Sequence, residues 1–298
     1  MAIQTATRSS TRPSQIQNFR RPRRKMTPGK IAALIVAAFL AVLWLIPFVW
    51  ATVTAFKSET DAAAPKVSWV PPSGFTIDAF VKVFNDGNIP LWTWNSFYTS
   101  AAITLITLVI SSLIAYALSR IDFKGKRVLM GVIIASIVIP PPVLIIPLFY
   151  QMVALRMIDT AWAIILPQLI HPAMVFVLKK FFDQIPRELE EAAVMDGASR
   201  LRIFTQIVIP LSRPILAAVA IFVFIGAWNN FLWPFIATND NSLLTLPVGL
   251  QTIKSAYGIQ YAQNMASALL AALPLIVVFL FFQRQIVKGF ATTGLAGT

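Results

Sequence analysis

Charged residues are not spread evenly along this chain. They leave six intervals free of Asp, Glu, Lys and Arg: 31–56, 87–119, 128–155, 160–178, 214–239 and 255–283. A helix needs about 20 consecutive apolar residues to cross a hydrocarbon core of about 30 Å. Five intervals exceed that length and the one at 160–178 just reaches it. Buried parallel strands are also continuous apolar runs, but they extend over only about 4–8 residues. The pattern therefore predicts an all-α integral membrane protein. Its six transmembrane helices fall at about 31–56, 94–119, 128–153, 160–179, 214–237 and 263–283.

Several of these spans are irregular. The third reads I-V-I-P-P-P-V-L-I-I-P-L-F-Y, with prolines at 140, 141, 142 and 147. Each proline removes a backbone donor and crowds the preceding turn. Backbone exposed in this way is tolerated in a membrane only against protein or a water-lined cavity. Pro141 is thus a candidate pathway residue. The fifth span carries G-A-W-N-N-F-L-W-P-F at 226–235. Trp228, Asn229, Asn230 and Trp233 fit an aromatic belt with interhelical hydrogen bonds. They fit equally a lining for a polar, ring-shaped solute, with Asn bonding hydroxyls and Trp stacking on a sugar face. Adjacent residues lie about 100° apart on a helix, so at most one asparagine points straight at a pathway. In the fourth span His171, between Pro167 and Pro172, is the ionisable residue at depth. It reads as a hydrogen-bonded packing residue or, alternatively, as a proton site.

Composition agrees with the pattern. Of 298 residues 57% are hydrophobic and 12% charged, with a net charge of +13. Soluble domains carry roughly a quarter charged residues. The basic residues set the orientation: with the N-terminus inside, 1–30, 120–127, 179–213 and 284–298 hold 20 of the 25 Lys and Arg. Lys57, Lys66, Lys82, Arg156 and Lys254 fall outside, while the acidic residues divide equally. Inside loops carry the Lys/Arg excess, so both termini are expected in the cytoplasm.

The N-terminal tail, 1–29, has no acidic residue and contains F-R-R-P-R-R-K at 19–25. It resembles a transit peptide in composition or a nucleic-acid arm in charge. Topology accounts for its charge, however, and it is expected to be a disordered cytoplasmic flap on anionic membrane lipid, with no nucleic acid as partner. The apolar interval 31–56 is far longer than the roughly 7–15-residue core of a cleaved signal peptide. The chain has no cysteine and one histidine, so no metal site is expected. It also lacks G-x-x-x-x-G-K-[ST]: Gly29-Lys30 and Gly125-Lys126 are followed by Ile and Arg. This chain is not expected to be an enzyme or to bind a cofactor by itself. Without charges deep in the spans, ion-coupled transport is disfavoured as well.

One stretch is polar and helix-like between apolar runs: E-E-A-A-V-M-D-G-A-S-R-L-R-I-F-T-Q-I-V-I-P, residues 190–210. Pro186 suits a first helical turn, and Glu188, Glu190 and Glu191 sit where the helix dipole favours negative charge. Gly197 suits a left-handed helix end. A second short helix is predicted from Ala198-Ser199 to a stop at Pro210. Ala192 and Ala193 leave one side nearly bare, with Ala193 expected on the exposed side, open to another protein's groove.

Here the residues resemble a known family. Glu191-Ala192-Ala193, Gly197, Ile207 and Pro210 match the cytoplasmic signature E-A-A-x-x-x-G-x(9)-I-x-L-P of ATP-binding-cassette importer permeases, with Ile209 in place of the usual Leu. Together with P-P-P-V-L-I-I-P-L-F-Y and W-N-N-F-L-W-P, the motif is similar to the shorter carbohydrate permease of the maltose and glycerol-phosphate type, over residues 30–290. The resemblance implies a six-helix permease domain at 30–290, coupling helices at 186–209 and a C-terminal tail at 291–298, in a bacterial plasma membrane. It implies a heterodimer with a second permease subunit. It also implies two copies of a P-loop ATPase subunit that binds ATP and Mg, and an extracytoplasmic solute-binding protein that delivers a sugar. Glu190, Glu191, Ala192, Ala193, Asp196, Gly197, Ile207 and Pro210 are then the ATPase-coupling residues. The segment Q-R-Q-I-V-K-G-F at 283–290 is similar, less closely, to a C-terminal piece near the ATPase. A secondary sugar carrier or a membrane assembly scaffold stands as the alternative.

Overall fold

The structure, a computed structural model, describes residues 27–253 and 258–294, from 284 on as helix backbone. The basic tail expected over 1–29 lies outside the described residues as far as Met26, and the side chains of 284–290 lie outside them too. All regular elements among the described residues are helical. In order they are α1 (Pro28–Ala55), α2 (Glu59–Ala62), α3 (Asp78–Asp86), α4 (Ile89–Arg120), α5 (Lys126–Val138), α6 (Ile145–Ala154), α7 (Ala161–Ile165) and α8 (Pro172–Asp183). There follow α9 (Arg187–Met195), α10 (Arg200–Ile203), α11 (Ile209–Leu211), α12 (Arg213–Trp228), α13 (Leu232–Ala237), α14 (Leu246–Thr252) and α15 (Tyr261–Gly294). The chain divides after Phe48 into two compact units. In the first, residues 28–48 are one continuous apolar helix.

The second unit is organised around α4, which packs against α8 and α12, while α12 packs on α15. The buried face of α4 carries Ser96, Thr99, Ile103, Thr107, Ser111 and Ala115, three or four residues apart. Lipid tails are as apolar as leucine, so helices in a bilayer associate by close packing, which small side chains permit. Thr99 and Thr104 donate to carbonyls one turn back, at 2.6 and 2.7 Å, which satisfies their hydroxyls inside the bundle. One apolar cluster joins the C-terminal half of α4 to α8, α10 and α12. A second joins Trp92, Trp228 and 244–250 to α3 and α15.

Three helices, Pro28–Ala55, Ile89–Arg120 and Tyr261–Gln283, are long and apolar enough to cross a membrane unbroken. Six spans result if each bent helix pair counts as one. The third and fifth spans, expected to be irregular, are broken, and the fourth, expected to be continuous, is broken as well. The third bends by 101° between Val138 and Pro141. A residue before proline is pushed out of the helical region, and Ile139 (ψ 118°) and Pro140 (ψ 130°) are both extended. The fourth bends by 48°, with His171 extended (φ −119°, ψ 92°) ahead of Pro172. His171 therefore lies in the break and not within a helix. The fifth stops at Trp228 and resumes at Leu232. The ring of Pro234 would meet the carbonyl of Asn230 in a continuous helix, so the helix restarts with Pro234 in its first turn.

The second short helix does not stop at Pro210. A π-helical turn at Phe204–Val208 carries the chain into α11, with Pro210 in that helix's first turn, and the bend of 79° follows at Ser212. Pro186 also lies one place outside its expected position, as the cap before Arg187. At the other end, α15 continues as helix to Gly294, so the expected tail 291–298 begins helical.

Candidate functional site

The polar stretch folds as two short helices meeting at a tight corner. At the end of α9 the Gly197 N–H donates to the Val194 carbonyl and the Ala198 N–H to the Ala193 carbonyl, each at 2.9 Å. With Gly197 at φ +80°, this is the paired closure of a Schellman helix end. Ser199 then caps the next helix, its hydroxyl accepting from the Arg202 N–H at 3.3 Å. The hydrogen bonds that close the corner are all local.

The two alanines differ in exposure. Ala192 is exposed, whereas Ala193 is half-buried and packs against the apolar cluster of α4, α8 and α12. The expectation of an exposed Ala193 is corrected: the helix presses this small side chain onto the bundle. What it turns outward is apolar, with Met195 86%, Leu201 68% and Val194 57% exposed. Glu191 and Asp196 are exposed among them, while Ile207 and Pro210 are half-buried near the base. Sequence reasoning singled out the alanines and passed over Val194, Met195 and Leu201, whose spacing says nothing until the inward face is known.

Glu190, expected among the coupling residues, turns inward. Its carboxylate Oε1 lies 2.6 Å from Nε of Arg120, with the two side chains 13% and 7% exposed. The pair meets off hydrogen-bond alignment and so holds by charge. Arg120 Nη2 donates to the Ile185 carbonyl at 2.6 Å. One residue earlier, the Ser119 hydroxyl donates to Asp183 Oδ1 at 2.8 Å, and Asp183 also pairs with Lys179 at 2.7 Å. One turn earlier still, the Tyr116 ring packs on Phe204, centroids 5.0 Å apart. The last turn of α4 thus grips the entry to the arm, its first helix and its second. No spacing rule links Arg120 to Glu190 in the sequence.

A second polar locus lies where the fourth and fifth spans break. Gln168 Oε1 accepts from Asn230 Nδ2 at 2.6 Å, and Asn230 Oδ1 accepts from the Trp233 N–H at 3.3 Å. Both tryptophans are buried, which of the two readings favours interhelical hydrogen bonding over a stacking surface. Trp228 donates to the Ala271 carbonyl at 3.3 Å and Trp233 to the Ala163 carbonyl at 2.9 Å. Their indoles fill core beside broken helices, and their N–H groups bond carbonyls of neighbouring helices. Asn229 is exposed, as is Pro141 at its own break, and His171 is half-buried.

Comparison with known proteins gives the family and the fold. A family model described as "Binding-protein-dependent transport system inner membrane component" matches residues 107–289. The chain is 34% identical to the arabinooligosaccharides transport system permease protein AraQ of Halalkalibacterium halodurans, over 87% of this chain and 94% of that one. It is also 34% identical to the trehalose/maltose transport system permease protein MalG of Thermococcus litoralis, over 90% and 97%. Against the sulfoquinovosyl glycerol transport system permease protein SmoH of Agrobacterium fabrum the identity is 32%, over 90% and 95%. In fold it is similar to a chain of a bacterial ABC transporter that imports the acidic polysaccharide alginate. The TM-score is 0.75 at 21% identity, covering 87% of this chain and 98% of that one.

Proposed function

The chain belongs to the family of binding-protein-dependent transport system inner membrane components, and from that premise we propose what its two polar loci do. The arm at 187–211 docks in a groove of a separate P-loop ATPase subunit on the cytoplasmic side. The observation that carries this reading is the outward set of Val194, Met195 and Leu201 on two rigidly joined helices. Exposed apolar side chains rimmed by charge mark contact sites, and a corner closed by its own hydrogen bonds can transmit a push. ATP and Mg bind the ATPase subunit. This chain pairs with a second permease and supplies half of the pathway, and an extracytoplasmic binding protein delivers the solute.

The solute class follows from the relatives, which carry saccharides or a sugar glycerol by name. We infer a sugar or oligosaccharide. Within the spans, exposed Asn229 is placed to meet hydroxyls beside the Gln168–Asn230 pair, whereas Trp228 and Trp233 are committed to packing. Alternating access by rigid-body rocking fits a bundle whose broken helices cluster around such a locus.

The test is co-purification of the ATPase subunit with the permease pair, at matched membrane abundance. Met195→Asp and Leu201→Asp are expected to insert normally and pair with the second permease, yet lose the ATPase and uptake. Retention of the ATPase at wild-type stoichiometry with unchanged uptake would make residues 187–211 an ordinary loop. Calorimetric titration of the binding protein with arabinotriose, maltose, trehalose and a glycerophosphodiester then identifies the solute.

A further inference from the structure

We propose that Arg120 and Glu190 form a positioning pair that makes the arm and α4 move as one body. Without it, ATP-driven motion of the arm does not reach the spans. The inference rests on the reading of 187–211 as the ATPase-docking arm, but concerns a contact on its inner side.

Four observations converge on it. Arg120 is the last residue of α4, the helix against which α8 and α12 pack. Its guanidinium serves two partners at once, the Glu190 carboxylate at 2.6 Å and the Ile185 carbonyl at 2.6 Å. Glu190 and Ile185 lie on either side of Pro186, so the chain is held before and after it turns into the arm. Both charged groups are nearly sealed from water, where salt screens little and each needs the other to offset its lost hydration.

The surroundings make the link directional. Tyr116 rests on Phe204 of the π-helical turn, and its hydroxyl lies 3.5 Å from the second Glu190 oxygen. Ser119 holds Asp183 at the end of α8. A push on Met195 or Leu201 meets α4 through Glu190 on one helix and Phe204 on the next. The apolar packing of Ala193 alone resists separation but offers little against sliding, because dispersion has no fixed partner. Arg120 does have one, the Ile185 carbonyl that accepts from its Nη2, and the close charge contact ties Glu190 to the same guanidinium.

The experiment uses the assembled complex in nanodiscs with Mg-ATP as the probe and no binding protein present. In the wild type, closure of the ATPase subunits must drag the spans along, which holds hydrolysis back. Arg120→Met and Glu190→Met are expected to keep wild-type ATPase stoichiometry and hydrolyse ATP at least about fivefold faster per complex, the lower end of ordinary site-to-site coupling. The double variant is expected to match the singles, because removing either partner already breaks the one link. Arg120→Lys, which reaches only one of the two partners, should give an intermediate rate and serves if Arg120→Met does not accumulate. A merely structural role would lower yield and thermal midpoint without raising the per-complex rate. Unchanged or slower hydrolysis, effects that multiply in the double variant, or loss of the ATPase from the single variants would each overturn the inference. Failure of the wild-type chain to hold any ATPase would instead sink the docking reading beneath it.

Discussion

At the scale of single residues, glycine is used in this protein for two unrelated reasons. Gly197 has φ +80° with open space around the position of a Cβ, so only the backbone is at stake there. A β-branched residue in this conformation costs on the order of 1–3 kcal/mol, whereas asparagine tolerates it. Gly197→Val is expected to re-aim α10 and release the ATPase, and Gly197→Asn to keep it, checked by co-purification. Gly249 is the opposite case, with an ordinary φ but a would-be Cβ only 2.2 Å from the Trp92 ring. Gly249→Ala overpacks the second apolar cluster and is expected to cost about 1–3 kcal/mol, read as a lowered thermal midpoint in detergent.

At the scale of elements, short helices are held by charged groups more than by their own length. The arm depends on the Arg120–Glu190 pair, and removing one partner of a buried pair typically costs about 3–5 kcal/mol, while replacing both with apolar residues is close to neutral. The double variant Arg120→Met with Glu190→Met is therefore expected to melt above either single variant, in the same thermal scan. Elsewhere carboxylates cap by accepting backbone N–H groups. Glu59 accepts from the Tyr261 and Ala262 N–H groups at the start of α15, and Asp159 from the Asn239 N–H at 2.5 Å. Asp61 accepts from the Ser73 hydroxyl, which holds its carboxyl below the ordinary value of 3.8. A depressed folded pKa gives stability that is present above the unfolded value and lost as pH falls through the folded one. The loop from Asp61 to Ser73 is thus expected to stay closed from neutral pH down to the ordinary carboxylate range and to open only in stronger acid, seen as faster exchange of the Ser73 amide.

At the scale of the molecule, the open matter is which side of the membrane each locus faces. The excess of Lys and Arg in 1–30, 120–127, 179–213 and 284–298 argues for an inside arm and inside termini. The absence of cysteine makes this directly measurable. Cysteines at Ala64 and Asn241, both exposed, are expected to react with an impermeant maleimide added to intact cells. One at Arg187, exposed at the start of the arm, is expected to react only after permeabilisation. Labelling of Arg187→Cys in intact cells would invert the topology and remove the arm from the ATPase.

Much of this protein was legible in the sequence, because the bilayer imposes a one-dimensional rule. Residues that enter hydrocarbon must be apolar over a fixed length, and so the charge-free intervals mark the spans without reference to any neighbour. Helix punctuation is equally local: Gly197 and Ser199 act on hydrogen bonds within a few residues of themselves, and both sit where the residue order places them. Continuity of the spans was harder to read, since a proline kinks, caps or breaks according to which carbonyls its neighbours can satisfy. The direction of a side chain was not legible at all. Ala193 read as outward, Glu190 had no assigned direction, and Trp228 and Trp233 fitted a belt or a pathway equally, yet all four turn inward because α4, α8, α7 and α15 supply their partners. Periodicity says which residues share a face, and only the packed helices decide which face meets protein. Arg120 and Glu190 lie seventy positions apart, so their pairing exists only once the end of α4 and the start of α9 have been brought together.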